Sequence, residues 1–461
     1  MHLQSDKTAT CMKERLAFEK LVLKELPREY PYSVSEALEI IQKEIKDFSE
    51  EEFNEWIDTE KVDWIYVIVP LALLGTFWVI AAFTGQWPWQ SNPYNSYALQ
   101  TDSWLKGRLD LGQNYEWLEL AIYQGKYFVS FPPFPSYVLI PFVVLFGTNT
   151  PDHLIALAVT IIGCIYAVKL YREASAEKQY SLFWVLMLYF ASGYLFVGMN
   201  GYVWFIAQSM SFTLSLMALY YTLRNKGGLA LTFWACAVGC RPMLALYGIL
   251  LGYLLVKGYK KENPEGTVWQ LVKEKWYWAI GCGAIAISYM ALNYARFGNI
   301  TEFGHNYLPE FTRTTTGQFN LSYLKENLMH YLRLPAAGGN GGALSFFSSD
   351  GMAFWLIAPI FITMIGVWIY ALVKKREGNL TLLIMLPLLA VAHLLIICCH
   401  KTLGGWQFGN RYLLDMMPYL FFGLTLWKPK GEKFVQWNTV ILVFGFAINL
   451  IGTVATYNHW I

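Results

Sequence analysis

The chain has 461 residues, 55% of them hydrophobic and only 15% charged, with a net charge of +2 and a mean hydropathy of +0.33. A soluble chain of this length could not bury that much apolar surface, so the composition asks for lipid as its solvent. A nucleic-acid partner is excluded as well, because the charge is small and the basic residues are scattered through short connectors instead of forming a patch.

Residues 1–62 come first and are mixed in charge. Leu16, Phe18, Leu21 and Leu23, and later Leu38, Ile40, Ile41 and Ile45, recur among acids and lysines, with Pro27 and Pro31 as breaks. That pattern predicts a cytoplasmic amphipathic helical region. No cleavable signal opens the chain, so the first span is expected to serve as the targeting signal.

A hydrocarbon core of roughly 30 Å needs about 20 apolar residues per helix. Runs of that kind fall at 63–83, 152–172, 181–199, 203–223, 277–296, 352–373, 379–399 and 434–456, and the shorter run 413–427 is counted with them. The stretch 228–256 is interrupted by Cys240-Arg241-Pro242; it is either one kinked helix or two short ones, and we favour a hairpin with Arg241 at its tip. The expected fold is therefore an all-α polytopic membrane protein of about eleven spans, with a transmembrane domain over 63–456 and a short outward tail at 457–461. The connectors 172–178, 224–226, 257–275, 374–376 and 428–433 all carry Lys or Arg, and an eleven-span count puts them on the side of the N-terminus. By the positive-inside rule that side is the cytoplasm. Two long segments, 84–151 and 297–351, then face outward, together with the loop 401–411.

The first outward loop is too long to be a mere connector, and its aromatics, among them Trp87, Trp89, Tyr94 and Trp104, are residues of membrane interfaces. Interfacial helices are expected there. In YALQTDSWLKGRLDL, Asp102 and Lys106 stand four residues apart, which fits either a surface ion pair or a carboxylate held at the interface as a general base. GKYFVSFPPFPSYVLIPF then leads into a short apolar run, 137–146, which predicts a re-entrant or interfacial helix. The second outward segment holds NYARFGNITEFGHNY, an amphipathic helix around 321–334, and a glycine-rich stretch, 336–343, without phosphate-loop spacing and read as a mobile lid. GNRYLLDMMP follows in the third. The cysteines in apolar runs, Cys164, Cys236, Cys240, Cys282, Cys398 and Cys399, have neither CxxC nor metal spacing and read as small core residues.

Taken in order, the acid after the first span, the Pro-Pro element, Arg241-Pro242, and the pair RFGNITEFGHNY and GNRYLLDMMP resemble GT-C fold integral-membrane glycosyltransferases. That class includes bacterial relatives of dolichyl-phosphate-mannose protein mannosyltransferases and aminoarabinose lipid A transferases. The resemblance covers about residues 63–456. It implies a polyprenyl-phosphate or pyrophosphate sugar donor, a cell-envelope glycan, lipid or protein acceptor, and inverting transfer at the outward membrane face. It matches Asp102 to the catalytic acid. The leaving phosphate needs cations, for which Arg241, Arg411 and Lys126 are the candidates, and Lys106, Asn200, Trp204, Gln208, His305, Tyr307 and Tyr412 are the candidate substrate contacts. Structural readings stand beside the arginine roles: Arg241 as an anchor at the hairpin tip, and Arg411 as a snorkelling residue paired with Asp415 one turn on. No cofactor is implied with certainty. Where many family members carry a second acid after the third span, GMNGYVWFIAQ offers only Asn200 and Gln208, and this weighs against a divalent metal. The alternative from another functional class is a transporter or lipid-linked-sugar flippase. It calls for ionisable residues along mid-span positions, of which Arg241 is the main example.

Overall fold

A computed structural model describes residues 63–90, 92–334, 351–374 and 380–460, and the backbone of 336–337 and 344–345. The expected amphipathic region 1–62 and most of the glycine-rich stretch 336–343 lie outside the described residues. Residues 65–461 form one compact unit, and the architecture is the expected polytopic helical one, that of a multi-pass membrane protein.

Seven helices among the described residues are long and apolar enough to cross a membrane, over Ile65–Thr84, Asp152–Ala174, Val203–Leu223, Pro242–Glu262, Val268–Phe297, Leu380–Cys398 and Glu432–Tyr457. Val203–Leu223 is the hub: 83% of its apolar window is buried, against 6% for the peripheral Val268–Phe297. The remaining four expected crossings are shorter. Gly227–Val238 and Met417–Trp427 are short single helices. The run 181–199 is Ser181–Phe190 and Tyr194–Gly198, broken at Gly193, and the run 352–373 is Phe354–Ile357 and Ile360–Val373, broken at Pro359. A break inside a membrane leaves backbone groups that lipid cannot satisfy. Here the two breaks meet: Ile360 N donates to Ala191 O at 3.2 Å, and Asn449 Nδ2 donates to Ile357 O at 2.8 Å.

The stretch around Arg241 is the favoured hairpin. Trp234 Nε1 donates to Leu244 O at 2.9 Å, and Asn225 Nδ2 donates to Glu262 at 2.9 Å. Pairs so placed on either side of Arg241 require two antiparallel helices.

Contacts between connectors show that four basic ones, 172–178, 224–226, 257–275 and 428–433, share an end. Arg224 reaches Glu173 at 3.4 Å, Lys428 pairs with Glu177, and Gly431 N donates to Glu177 at 2.7 Å. At the opposite end the polar segments knit together. Arg296 Nη1 donates to Val129 O at 3.1 Å, Asn327 Nδ2 donates to Cys398 O at 2.9 Å, and Met352 N donates to Asn410 Oδ1 at 2.8 Å.

The first of these segments departs from the expectation of interfacial helices alone. Helix Ser96–Leu105 and helix Phe134–Phe146 flank an antiparallel β-hairpin, Leu120–Tyr123 with Lys126–Val129. Its two-residue turn, Gln124-Gly125, takes positive φ at both positions (50° and 72°), which matches the twist of the strands it joins.

A buried latch fastens the start of this segment. Asn92 Nδ2 donates to Asp152 Oδ2 at 2.9 Å and to Gly201 O at 2.8 Å, and Gly201 N donates to His153 Nδ1 at 2.9 Å. A Cβ on Gly201 would stand 2.4 Å from the Asp152 carbonyl carbon, which is backbone and has no room to yield. Gly201→Ala is therefore expected to destabilise the protein by about 1–3 kcal/mol. Thermal unfolding in detergent checks this, and an unchanged midpoint would refute it.

Candidate functional site

At the end opposite the basic connectors, a cavity of about 280 Å³ opens among the long polar segments. It draws walls from four places in the sequence: the β-hairpin (Glu119, Ser130), the first turn of the hub helix (Trp204), the hairpin tip (Arg241), and the turn Arg411–Met416 (Arg411, Tyr412, Asp415). The second long polar segment adds Glu302, His305 and Glu310.

One wall is cationic. Arg241 Nε donates to Asp415 Oδ2 at 2.8 Å, and the Asp415 side chain is 1% exposed. Gln208 Nε2 donates to Asp415 Oδ1 at 2.9 Å and also to the Arg411 carbonyl. Both carboxylate oxygens are thus occupied, and neither contacts Arg411. Burial opposes the Arg241 charge, but the Asp415 carboxylate, helped by Tyr412, outweighs that loss and holds the guanidinium above its ordinary value.

Arg411 stands differently. Its Nε donates to Gly404 O at 2.9 Å, and Nη2 donates to the same carbonyl. Nη1 has no hydrogen-bond partner among the described residues. Burial pushes this guanidinium down from its ordinary value, with the neighbouring Arg241 charge adding to the effect. The two guanidinium groups flank one ring, at 4.6 Å and 4.8 Å from the Tyr412 centroid. A buried cation with a spare donor beside a second cation is a site that gains by taking up an anion.

A carboxylate wall shares the cavity. Glu119 is reached by water through the cavity and accepts from Trp204 Nε1 at 3.1 Å. The protein crowding it pushes its carboxyl up, while the Trp204 hydrogen bond and the Arg411 charge pull the other way. Glu310 is pushed up too, by desolvation first and then by the charge of Glu119. Glu302 is engaged on both oxygens, by Gly304 N at 2.6 Å and Asn306 Nδ2 at 2.7 Å. His305 Nδ1 lies 3.2 Å from Ser130 O. His400, pushed down to about 4 by burial, contacts Gln318 Nε2 at 3.0 Å through Nε2. Among the described residues no group of three or more His, Cys, Asp or Glu is placed to hold a metal ion.

The structure brings Arg241, Arg411, Tyr412, Trp204 and His305 together around this cavity. Gln208 stands one layer behind, orienting Asp415. Asn200 is buried and donates to Tyr457 Oη. Asp102 lies outside the lining, held by Lys106 at 2.6 Å with 21% side-chain exposure. Lys126 is exposed at the start of a strand, and Tyr307 packs on Tyr123 with ring centroids 4.6 Å apart. Glu119, Glu302, Glu310 and His400 are among the wall residues that the sequence did not single out as site residues. For Glu119 the available signal was its place just before a strand–Gln-Gly–strand pattern.

Structural neighbours include ArnT, the aminoarabinose lipid A transferase of the GT-C fold. The crystal structure of ArnT from Cupriavidus metallidurans bound to undecaprenyl phosphate is 14% identical, with a TM-score of 0.49, and the match covers 86% of this chain and 78% of that one. The apo state of the same protein is 13% identical, with a TM-score of 0.46 and coverage of 86% and 76%. No family model and no curated protein matches the sequence.

A second cavity of about 270 Å³ lies on the other side of the turn Arg411–Met416. Its walls are almost wholly apolar and come from Ile360–Val373, Leu380–Cys398 and Met417–Trp427. Leu413 and Met416 face it, while Arg411, Tyr412 and Asp415 face the polar cavity.

Proposed function

We propose that the chain is a glycosyltransferase that moves a sugar from a polyprenyl-phosphate or pyrophosphate donor to an acceptor hydroxyl or amine. The observation that carries this reading is the pair Arg241 and Arg411, flanking Tyr412 beside an apolar cavity reached across one short turn. An amphiphile with an anionic head and a long apolar tail fits such a pair of cavities. Arginine suits the head, because its planar fork matches phosphate oxygens. The carboxylate wall supplies what the acceptor needs, a group able to take up a proton.

In this reading the reaction is a single displacement that inverts the anomeric carbon. The leaving phosphate gains negative charge as the bond to the sugar breaks, and the two arginines stabilise that charge. In this reading the shared basic end is cytoplasmic, by the positive-inside rule, and the polar cavity faces outward. Cell-envelope glycan, lipid or protein is the acceptor class. Asp102, the acid matched by family resemblance, is paired with Lys106 outside the lining, which favours a wall carboxylate for the proton transfer.

Purified protein in lipid, incubated with a panel of radiolabelled polyprenyl-phosphate sugars and candidate acceptors, is expected to release polyprenyl phosphate and label an acceptor. Scrambling of labelled lipid across the bilayer with no sugar released from any donor would replace this reading with a flippase.

A further inference from the structure

We infer that Glu119 is the catalytic base that deprotonates the acceptor; this rests on the transferase reading above. Four carboxylates line the cavity, and their hydrogen bonds separate them. Asp415 is engaged on both oxygens, by Arg241 and Gln208. Glu302 is likewise engaged on both, by Gly304 N and Asn306. Glu310 is exposed, as Glu119 is, but it sits in the four-residue helix Pro309–Thr312 and, among the described residues, no hydrogen bond orients its carboxylate, the Lys401 ammonium reaching only its backbone carbonyl. Glu119 accepts a single hydrogen bond among the described residues, from Trp204 to Oε2, which leaves Oε1 free for an acceptor hydroxyl.

Its backbone is held on rigid supports. Ser130 Oγ donates to Glu119 O at 3.3 Å. The hairpin that follows packs Ala121 and Phe128 against Phe297 at the end of a span. A base needs this kind of positioning, because proton transfer demands a fixed approach to the acceptor. Crowding by protein raises the Glu119 carboxyl from its ordinary value and so strengthens it as a base once ionised. The charged and titratable groups facing it are Arg411, Glu310 and, across the cavity, Arg241 and His305.

The step balances without a co-reactant. Oε1 takes the acceptor proton, the acceptor oxygen forms its bond to the anomeric carbon, and the bond from that carbon to the phosphate oxygen breaks. The electron pair leaves with the phosphate, next to Arg411.

The test compares wild type with Glu119→Gln, Glu119→Asp, Asp102→Asn and His305→Gln, measuring transfer and polyprenyl-phosphate binding against pH in lipid. Glu119→Gln keeps an acceptor for Trp204 and is expected to bind donor normally while losing about 10²- to 10⁴-fold in transfer. Glu119→Asp is expected to regain part of that loss. Wild-type activity falls as pH drops through the raised Glu119 value, and this acid limb disappears in Glu119→Gln. Transfer by Glu119→Gln within a few-fold of wild type, or an acid limb abolished by Asp102→Asn or His305→Gln instead, overturns the assignment and leaves the transferase reading intact. A wild-type protein that neither binds polyprenyl phosphate nor uses any donor overturns both.

Discussion

Arg411→Ala is expected to remove polyprenyl-phosphate binding and sugar transfer together, and to cost transfer more. Hydrogen bonds to a charged group contribute about 1.5–3 kcal/mol, so the loss in binding should be roughly tenfold to a hundredfold. The transition state carries more charge on the leaving oxygen than the bound donor does, and removal of a preorganised donor commonly costs about 10²–10³ in rate. Arg411→Lys should recover little, because one ammonium cannot keep the Gly404 carbonyl and also present a spare donor to phosphate. Single-turnover transfer and equilibrium binding, measured on the same preparations, separate the two effects. Binding and transfer both retained in Arg411→Ala would show that the cationic wall is structural and that the donor head sits elsewhere.

The spans were legible in the sequence because an apolar run of the right length has few alternatives to crossing a membrane. Breaks within spans were harder to see. A Gly193 or Pro359 inside an apolar run looks like any tolerated membrane glycine or proline, and only the partner groups at Ala191 and Asn449 show that the chain stops there. The β-hairpin escaped notice because its strands are four residues each and its aromatics read equally well as interfacial anchors. That omission hid Glu119, whose place depends on the hairpin.

The pairing of Asp415 shows how a spacing rule can mislead. Four residues after Arg411, it would lie on the same face of an α-helix. Residues Arg411–Met416 instead form a 3₁₀ turn, in which three residues complete a turn and a residue four along is rotated away by about 120°. Asp415 therefore faces Arg241, which comes from a tip more than a hundred residues earlier, and Arg411 is left with a free donor. The local helix type decides which arginine is paired with the carboxylate and which keeps an unpartnered donor.

Asp415→Ala carries the largest expected effect on stability. The carboxylate is almost fully buried, its partner Arg241 is only 22% exposed, and Gln208 would lose one of its acceptors as well. Breaking a buried pair from one side leaves an uncompensated charge and typically costs about 3–5 kcal/mol. The pair itself need not be strongly stabilising, since desolvation of both ions opposes their attraction. The double variant Arg241→Met with Asp415→Leu should then unfold at a higher temperature than Asp415→Ala alone, while losing transfer because one phosphate-binding arginine is gone. A double variant no more stable than Asp415→Ala would mean that the ion pair is a net source of stability.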